Sequence, residues 1–170
     1  MSKKSAGILP YRLINGRLQV VLVHPGGPFW AKKDEGAWSV GKGEYEDDES
    51  PIDAAIREFE EETGHKPQGT FVPLTPIKQP SGKLVSAWAV EDDWDLSGFH
   101  SNKFTMEWPR GSGKMAEFDE VDRIEWLDIT IAAKKILVGQ LGFLDQLAKY
   151  VLGVELSTIP AIGPDQTSLF

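Results

Sequence analysis

Four residues of this chain stand at a spacing that could do metal chemistry: Arg57, Glu58, Glu61 and Glu62, inside a segment running from Gly43 to His65. At about 100° per residue, a helix gathers Glu58, Glu61 and Glu62 on one face, roughly 120° away from the apolar stripe of Ile52, Ala55, Ile56 and Phe59. Like charges three or four residues apart destabilise a helix by a few tenths of a kcal/mol per pair, so such a face needs either free solvation or a cation. Carboxylates are hard oxygen donors that suit Mg2+ or Mn2+, and these ions bind phosphate oxygens at the same time. A solvated acidic face is the plain alternative for R-E-x-x-E-E alone. Gly43, Glu49 and Gly64 stand in fixed register with it.

In that register the segment resembles the Nudix box, G-x5-E-x7-R-E-U-x-E-E-x-G-U, where U is bulky and apolar. Gly43, Glu49, Arg57, Glu58, Phe59, Glu61, Glu62 and Gly64 occupy its positions. His65 replaces the last apolar residue, and Gly41 stands where the family often has proline, so the turns framing the helix differ while every carboxylate is present. The resemblance implies an α/β fold of the Nudix type, an α/β/α sandwich whose central mixed sheet carries the box helix on one face. It also implies that Glu58, Glu61, Glu62 and the backbone carbonyl of Lys42 hold one or more Mg2+ ions, with Mn2+ as the alternative. Gly43 would bring backbone close to the ion, and Arg57 would pair with Glu49. A further acid from outside the box fits Glu120, six residues before Trp126, with Glu117 as its substitute. The implied reaction is hydrolysis of a phosphoanhydride, in which Arg57, Glu61, Glu62 and Glu120 form the catalytic set. Glu62 and Glu120 are the two candidates for the general base.

The elements that must position these groups are readable without the family. Ser50 is a good N-cap, Pro51 suits the first helical position, Asp53 favours the helix dipole, and Gly64 followed by Pro67 supplies the stop. Ala6 to Leu13 and Leu18 to His24 read as strands joined by Asn15-Gly16, a strong hairpin signal. His24-Pro-Gly-Gly-Pro28 breaks regular structure, and Phe29 to Gly36 reads as a surface loop. Thr70 to Lys78, Leu84 to Val90, Lys103 to Trp108 and Arg123 to Trp126 are strand candidates. Thr130 to Leu137 and Leu141 to Leu152 have helical periodicity. Residues 1–155 are expected to form one domain, and 156–170 an irregular tail.

Composition narrows the function classes. With 170 residues, 41% of them hydrophobic, the chain can bury a core as a single domain. A net charge of -8 argues against gripping long nucleic acid, which needs a basic surface. The absence of cysteine excludes disulfides and thiolate metal sites, and suits a reducing cytoplasm. No signal peptide and no apolar run of membrane-spanning length is present, so a cytoplasmic monomer or homodimer without a membrane partner is expected.

A small-molecule nucleotide is the expected partner. Among the six tryptophans, Trp30, Trp88, Trp94 and Trp108 are candidates for stacking on a base, and Lys32, Lys33, Lys42, Arg110 and Lys114 for contacting phosphates, although packing and solvation are the commoner fates of such residues. Gly111-Ser112-Gly113-Lys114 falls short of a phosphate-binding P-loop because Met115 follows the lysine; it reads as a flexible loop that could cover the metal site. His24, His65 and His100 lack zinc-site spacing and read as structural. The leading expectation is a pyrophosphohydrolase acting on a nucleoside diphosphate linked to another moiety, with nucleoside triphosphates or dinucleoside polyphosphates favoured. The alternative is a non-catalytic Nudix-like nucleotide sensor or regulator, whose usual mark, a degraded box, is missing here. An isoprenyl diphosphate isomerase shares the fold but uses a cysteine that this chain lacks.

Overall fold

The structure is a computed structural model that describes residues 3–162. Strands β1 (Lys4–Ile14) and β2 (Arg17–Pro25) run antiparallel. They are joined by Asn15 and Gly16 at φ 51° and 80°, the left-handed pair that a two-residue hairpin turn requires. The short strand β3 (Gly41–Glu44) adds to β1 in antiparallel register, Ala6 opposite Gly43 and Ile8 opposite Gly41. The segment expected as one strand from Thr70 to Lys78 is broken by prolines into β4 (Val72–Pro73) and β5 (Ile77–Lys78). Both flank β6 (Leu84–Glu91), which pairs with β1 in parallel. A two-stranded ribbon, β7 (Lys103–Glu107) and β8 (Met115–Asp119), precedes β9 (Val121–Asp128), the neighbour of β2. The main sheet has seven strands and is mixed, ordered β4-β6-β1-β2-β9 with β3 and β5 off that path. Gly111 to Lys114 form the turn of the β7–β8 ribbon, where the Trp108 N–H donates to the Lys114 carbonyl at 2.9 Å.

Alternation along the central strands sends side chains into two cores, as a sheet covered on both faces requires. Ala6, Ile8, Val21 and Val90 meet Ala54, Ala55 and Phe59 of α1 (Pro51–Thr63). Leu9, Leu18, Val20 and Leu22 face the other way, toward α2 (Ile129–Lys135) and α3 (Leu141–Leu152). The result is the expected α/β/α sandwich.

Helix α1 starts where its sequence signals place it. The Ser50 hydroxyl accepts the Asp53 N–H at 3.3 Å, and Gly64, at φ 79°, closes the helix by donating to the Glu60 carbonyl at 2.7 Å. After α3, residues Leu156–Thr158 make one 3-10 turn, and Leu156 and Ile159 pack onto the larger core. Residues 163–170 of the expected tail lie outside the described residues. No helix among the described residues is long and apolar enough to cross a membrane.

Candidate active site

Because Phe59 anchors α1 to the sheet, the polar side of the helix is turned toward β3 and the start of β9. Arg57 is the hub of that side. Its Nε and Nη2 donate to the two Glu49 carboxylate oxygens at 2.8 Å each, a bidentate pair of the kind a planar guanidinium favours. Its Nη1 donates to Glu58 at 3.0 Å and reaches Glu61 at 3.3 Å. These four groups tie the loop before the helix to the helix itself.

Glu62 points the other way, onto the wall of a cavity of about 210 Å3 that also includes Trp30, Ser39, Lys42 and Glu120. Burial, chiefly, and then the nearby Glu58 and Glu120 push the Glu62 carboxyl up to about 8, although Lys42 pulls in the opposite direction. Burial also raises Glu58, against Arg57, with Glu61 and Glu120 adding to the rise. Lys42 is shifted down, by burial first and by Lys83, with Glu62 and Glu44 opposing.

Glu120 is carried to this wall by the bend between β8 and β9. Its N–H donates to the Asn102 carbonyl at 2.8 Å, and its carbonyl accepts the Gly26 N–H at 3.0 Å. The Asn102 N–H in turn donates to the Glu61 carbonyl at 3.1 Å, so a chain of backbone bonds joins the box helix to the outer acid. Two glycines make the close approach possible. A Cβ on Gly43 would overlap the Glu58 carboxylate, and one on Gly41 would sit 2.8 Å from the Phe59 ring, which gives a steric reason for glycine rather than a larger residue at position 41.

By donor chemistry these groups could take a hard divalent cation: Glu58, Glu62 and Glu120 are oxygen donors, Glu120 adding to the rise of the other two carboxyls, and Gly41 and Gly43 bring β3 backbone close to Glu62 and Glu58. As placed, no three Asp, Glu or His side chains among the described residues stand close enough together to hold a metal ion. Arg57, the nearest cation to Glu58 and Glu61, holds both through one nitrogen.

The remaining sequence candidates separate cleanly. Trp30 lines the cavity, with the Lys33 ammonium 5.0 Å from its ring centre. Trp88 does not; it packs on the α1 side with Trp94 and Trp126. Lys32 and Lys114 are exposed and lie off the cavity wall, as does Glu117 on β8. His24 is fully buried, its Nε2 2.6 Å from the Lys33 carbonyl and its Nδ1 2.7 Å from Asp122, so it fastens the loop that carries Trp30. Sequence reasoning missed the contributions of Ser39, Val121 and Leu137 to the cavity wall, because nothing local marks which face of a strand or loop a distant helix will leave open.

Comparison with known proteins agrees with this architecture. Residues 3–147 match a model of the NUDIX domain family. The chain is similar to the Ap4A hydrolase of C. elegans in a binary complex, at 20% identity and a TM-score of 0.63, covering 89% of this chain and 99% of that one. It is also similar to the NUDIX domain of Shewanella oneidensis NrtR complexed with ADP ribose, at 14% identity and a TM-score of 0.62, over 89% of each chain. A mutT/nudix family protein from Listeria innocua aligns at 18% identity and a TM-score of 0.58, covering 89% of this chain and 94% of its own. No curated protein matches.

Proposed function

This chain belongs to the Nudix hydrolase family, and from that premise we propose that it is a divalent-metal-dependent pyrophosphohydrolase, cleaving a nucleoside diphosphate linked to another moiety. As a family member it is a hydrolase of phosphorus-containing acid anhydrides. The metal dependence and the nucleotide substrate are supported by one observation above all: Glu62 and Glu120 share a cavity wall with Lys42 and Trp30. Carboxylates for a cation, an ammonium for phosphate and an aromatic ring for a base thus border a single space.

In this reading Glu58, Glu61, Glu62, Glu120 and the Lys42 carbonyl would hold Mg2+, or Mn2+ in its place. When bound, the ion neutralises charge on the diphosphate oxygens and activates water. The protein's own groups do the rest. Lys42 is placed to meet a phosphate oxygen in the cavity, and Trp30 offers a face to the base. Arg57, through Glu49 and Glu58, keeps the loop and the helix in one arrangement. The proton of the attacking water passes to a carboxylate oxygen of Glu62 or Glu120, the two acids that reach the cavity. Nucleoside triphosphates and dinucleoside polyphosphates fit this set of groups, and the structural likeness to an Ap4A hydrolase adds support for the second class.

The test is a panel of nucleoside triphosphates, dinucleoside polyphosphates and nucleoside diphosphate sugars with Mg2+, scored by product identity, for the wild type, Glu61→Gln and Glu62→Gln. Turnover that falls by orders of magnitude in both variants is the expected result. Metal-independent nucleotide binding with no product in any protein would point instead to a sensor.

A further inference from the structure

Two segments about eighty positions apart meet beside Trp30, which lines the cavity. Phe29, in the loop after β2, packs edge to face on Trp108 at the end of β7, with ring centres 5.5 Å apart and planes at 81°. The Arg110 guanidinium lies 5.0 Å from the Phe29 ring centre. This trio is not part of either core, and Phe29 is 45% exposed. An edge-on pair leaves ring faces open where a parallel stack would close them.

The trio is nevertheless fixed to the site. Trp30, next to Phe29, lines the cavity. Gly26, at the start of the same loop, donates to the Glu120 carbonyl, and a Cβ on Gly27 would lie 3.0 Å from the Phe104 ring of β7. The local charge is unusual for a chain of net charge -8. Lys32, Lys33, Arg110 and Lys114 all come from these two segments, and among the described residues none of them has a salt-bridge partner. Two of the nearby acids are engaged elsewhere, Asp34 accepting from Trp38 Nε1 at 2.8 Å and Lys135 at 3.2 Å and Glu107 accepting the Gly111 N–H at 2.7 Å, while Glu35 and Glu117 stay exposed beside the cations.

We propose that Phe29, Trp108 and Arg110 form a second subsite outside the cavity, which stacks the nucleobase of the moiety attached to the diphosphate while the neighbouring lysines meet its phosphate. The subsite deepens the hydrolase reading and rests on it. It assigns a substrate with an aromatic group at its far end, a dinucleoside polyphosphate rather than a diphosphate linked to a bare sugar. Purine or pyrimidine faces bind such platforms because each has a π surface, with Arg adding a cationic contact.

The test uses AMP and ribose 5-phosphate, which differ only by the base and contain no anhydride bond, so binding is read apart from hydrolysis. Each is titrated into the full chain by two-dimensional NMR, with thermal unfolding run in parallel. The wild type is expected to bind AMP more tightly than ribose 5-phosphate. Phe29→Ala and Trp108→Ala should each weaken AMP about tenfold and leave ribose 5-phosphate unchanged, whereas Trp108→Phe, which keeps a ring, should recover most of the loss. Three results overturn the subsite: a wild type that does not prefer AMP, alanine variants that bind AMP as the wild type does, or equal losses for both probes. Failure of the hydrolase reading would show elsewhere, as a wild type that turns over no anhydride.

Discussion

Arg57 and Glu49 are joined by two parallel hydrogen bonds of 2.8 Å each, across the junction between the loop and helix α1. The guanidinium is held protonated by that pair first, and then by Glu58 and Glu61. Both side chains are partly exposed, so the pair contributes little to overall stability and acts mainly on geometry. Arg57→Lys keeps the charge but loses the planar fork. It should lower kcat/KM at least tenfold while moving Tm by only a degree or two; a large fall in Tm with activity preserved would contradict this role.

The elevated Glu62 carboxyl makes a pH-dependent prediction. A carboxyl whose folded pKa, about 8, stands above its ordinary value of 4.5 stabilises the fold fully below about pH 4.5, and that contribution is lost as pH rises through 8. In the presence of a chelator, Glu62→Gln should therefore melt several degrees above the wild type at pH 9 and close to it at pH 4.5. Added Mg2+ should then raise the Tm of the wild type more than that of the variant. Parallel melting curves across this range would show that Glu62 is not crowded as described.

The two glycines of β3 should respond differently to alanine. Gly43→Ala meets the end of the flexible Glu58 side chain, which can swing away, so the fold should survive and turnover should drop. Gly41→Ala meets the buried Phe59 ring at 2.8 Å, an overpacked contact that should cost about 1 to 3 kcal/mol of stability. Denaturant unfolding and activity measured together distinguish the two effects.

Far from the site, Asp128 binds Arg17 Nε and Nη2 at 2.8 and 2.9 Å and caps α2 through Thr130. Burial alone would raise its carboxyl, but the bonds from Arg17 and Thr130 hold it below the ordinary value. Its stabilisation is thus present at neutral pH and lost as pH falls through the depressed pKa. Asp128→Asn should cost about 2 to 3 kcal/mol at pH 7 and flatten the acid limb of the stability profile. An unchanged acid limb would rule out the pair as its source.

Much of this fold is readable from local signals, because those signals agree with the tertiary outcome. Ser50, the apolar stripe ending at Phe59, and Gly64 specify α1, and Asn15-Gly16 specifies the first hairpin. Strand β3 was not readable: Gly41 to Glu44 carry no apolar alternation and become a strand because β1 presents a partner edge. Strand β8 likewise gains its form from pairing with β7. In the site, the Arg57–Glu49 pair and the place of Glu120 both follow from the resemblance, since Glu49 lies ahead of the helix. The roles of Trp30 and Trp88 depended on which face of the sheet is covered. Trp88 pairs in register with Ile8 and packs in the α1-side core with it, whereas Trp30 rides on a loop anchored by His24. Such choices are made by contacts between distant segments, and local pattern does not carry them.

Anomalous scattering from crystals soaked in Mn2+ reads out whether Glu58, Glu62 and Glu120 hold a divalent cation. A peak is expected between α1 and the β8–β9 bend, bounded by those carboxylates and the Lys42 carbonyl, and lost in Glu62→Gln. A peak only at some other acidic surface, with Glu58 still bound to Arg57 and Glu62 turned to protein alone, would contradict that reading.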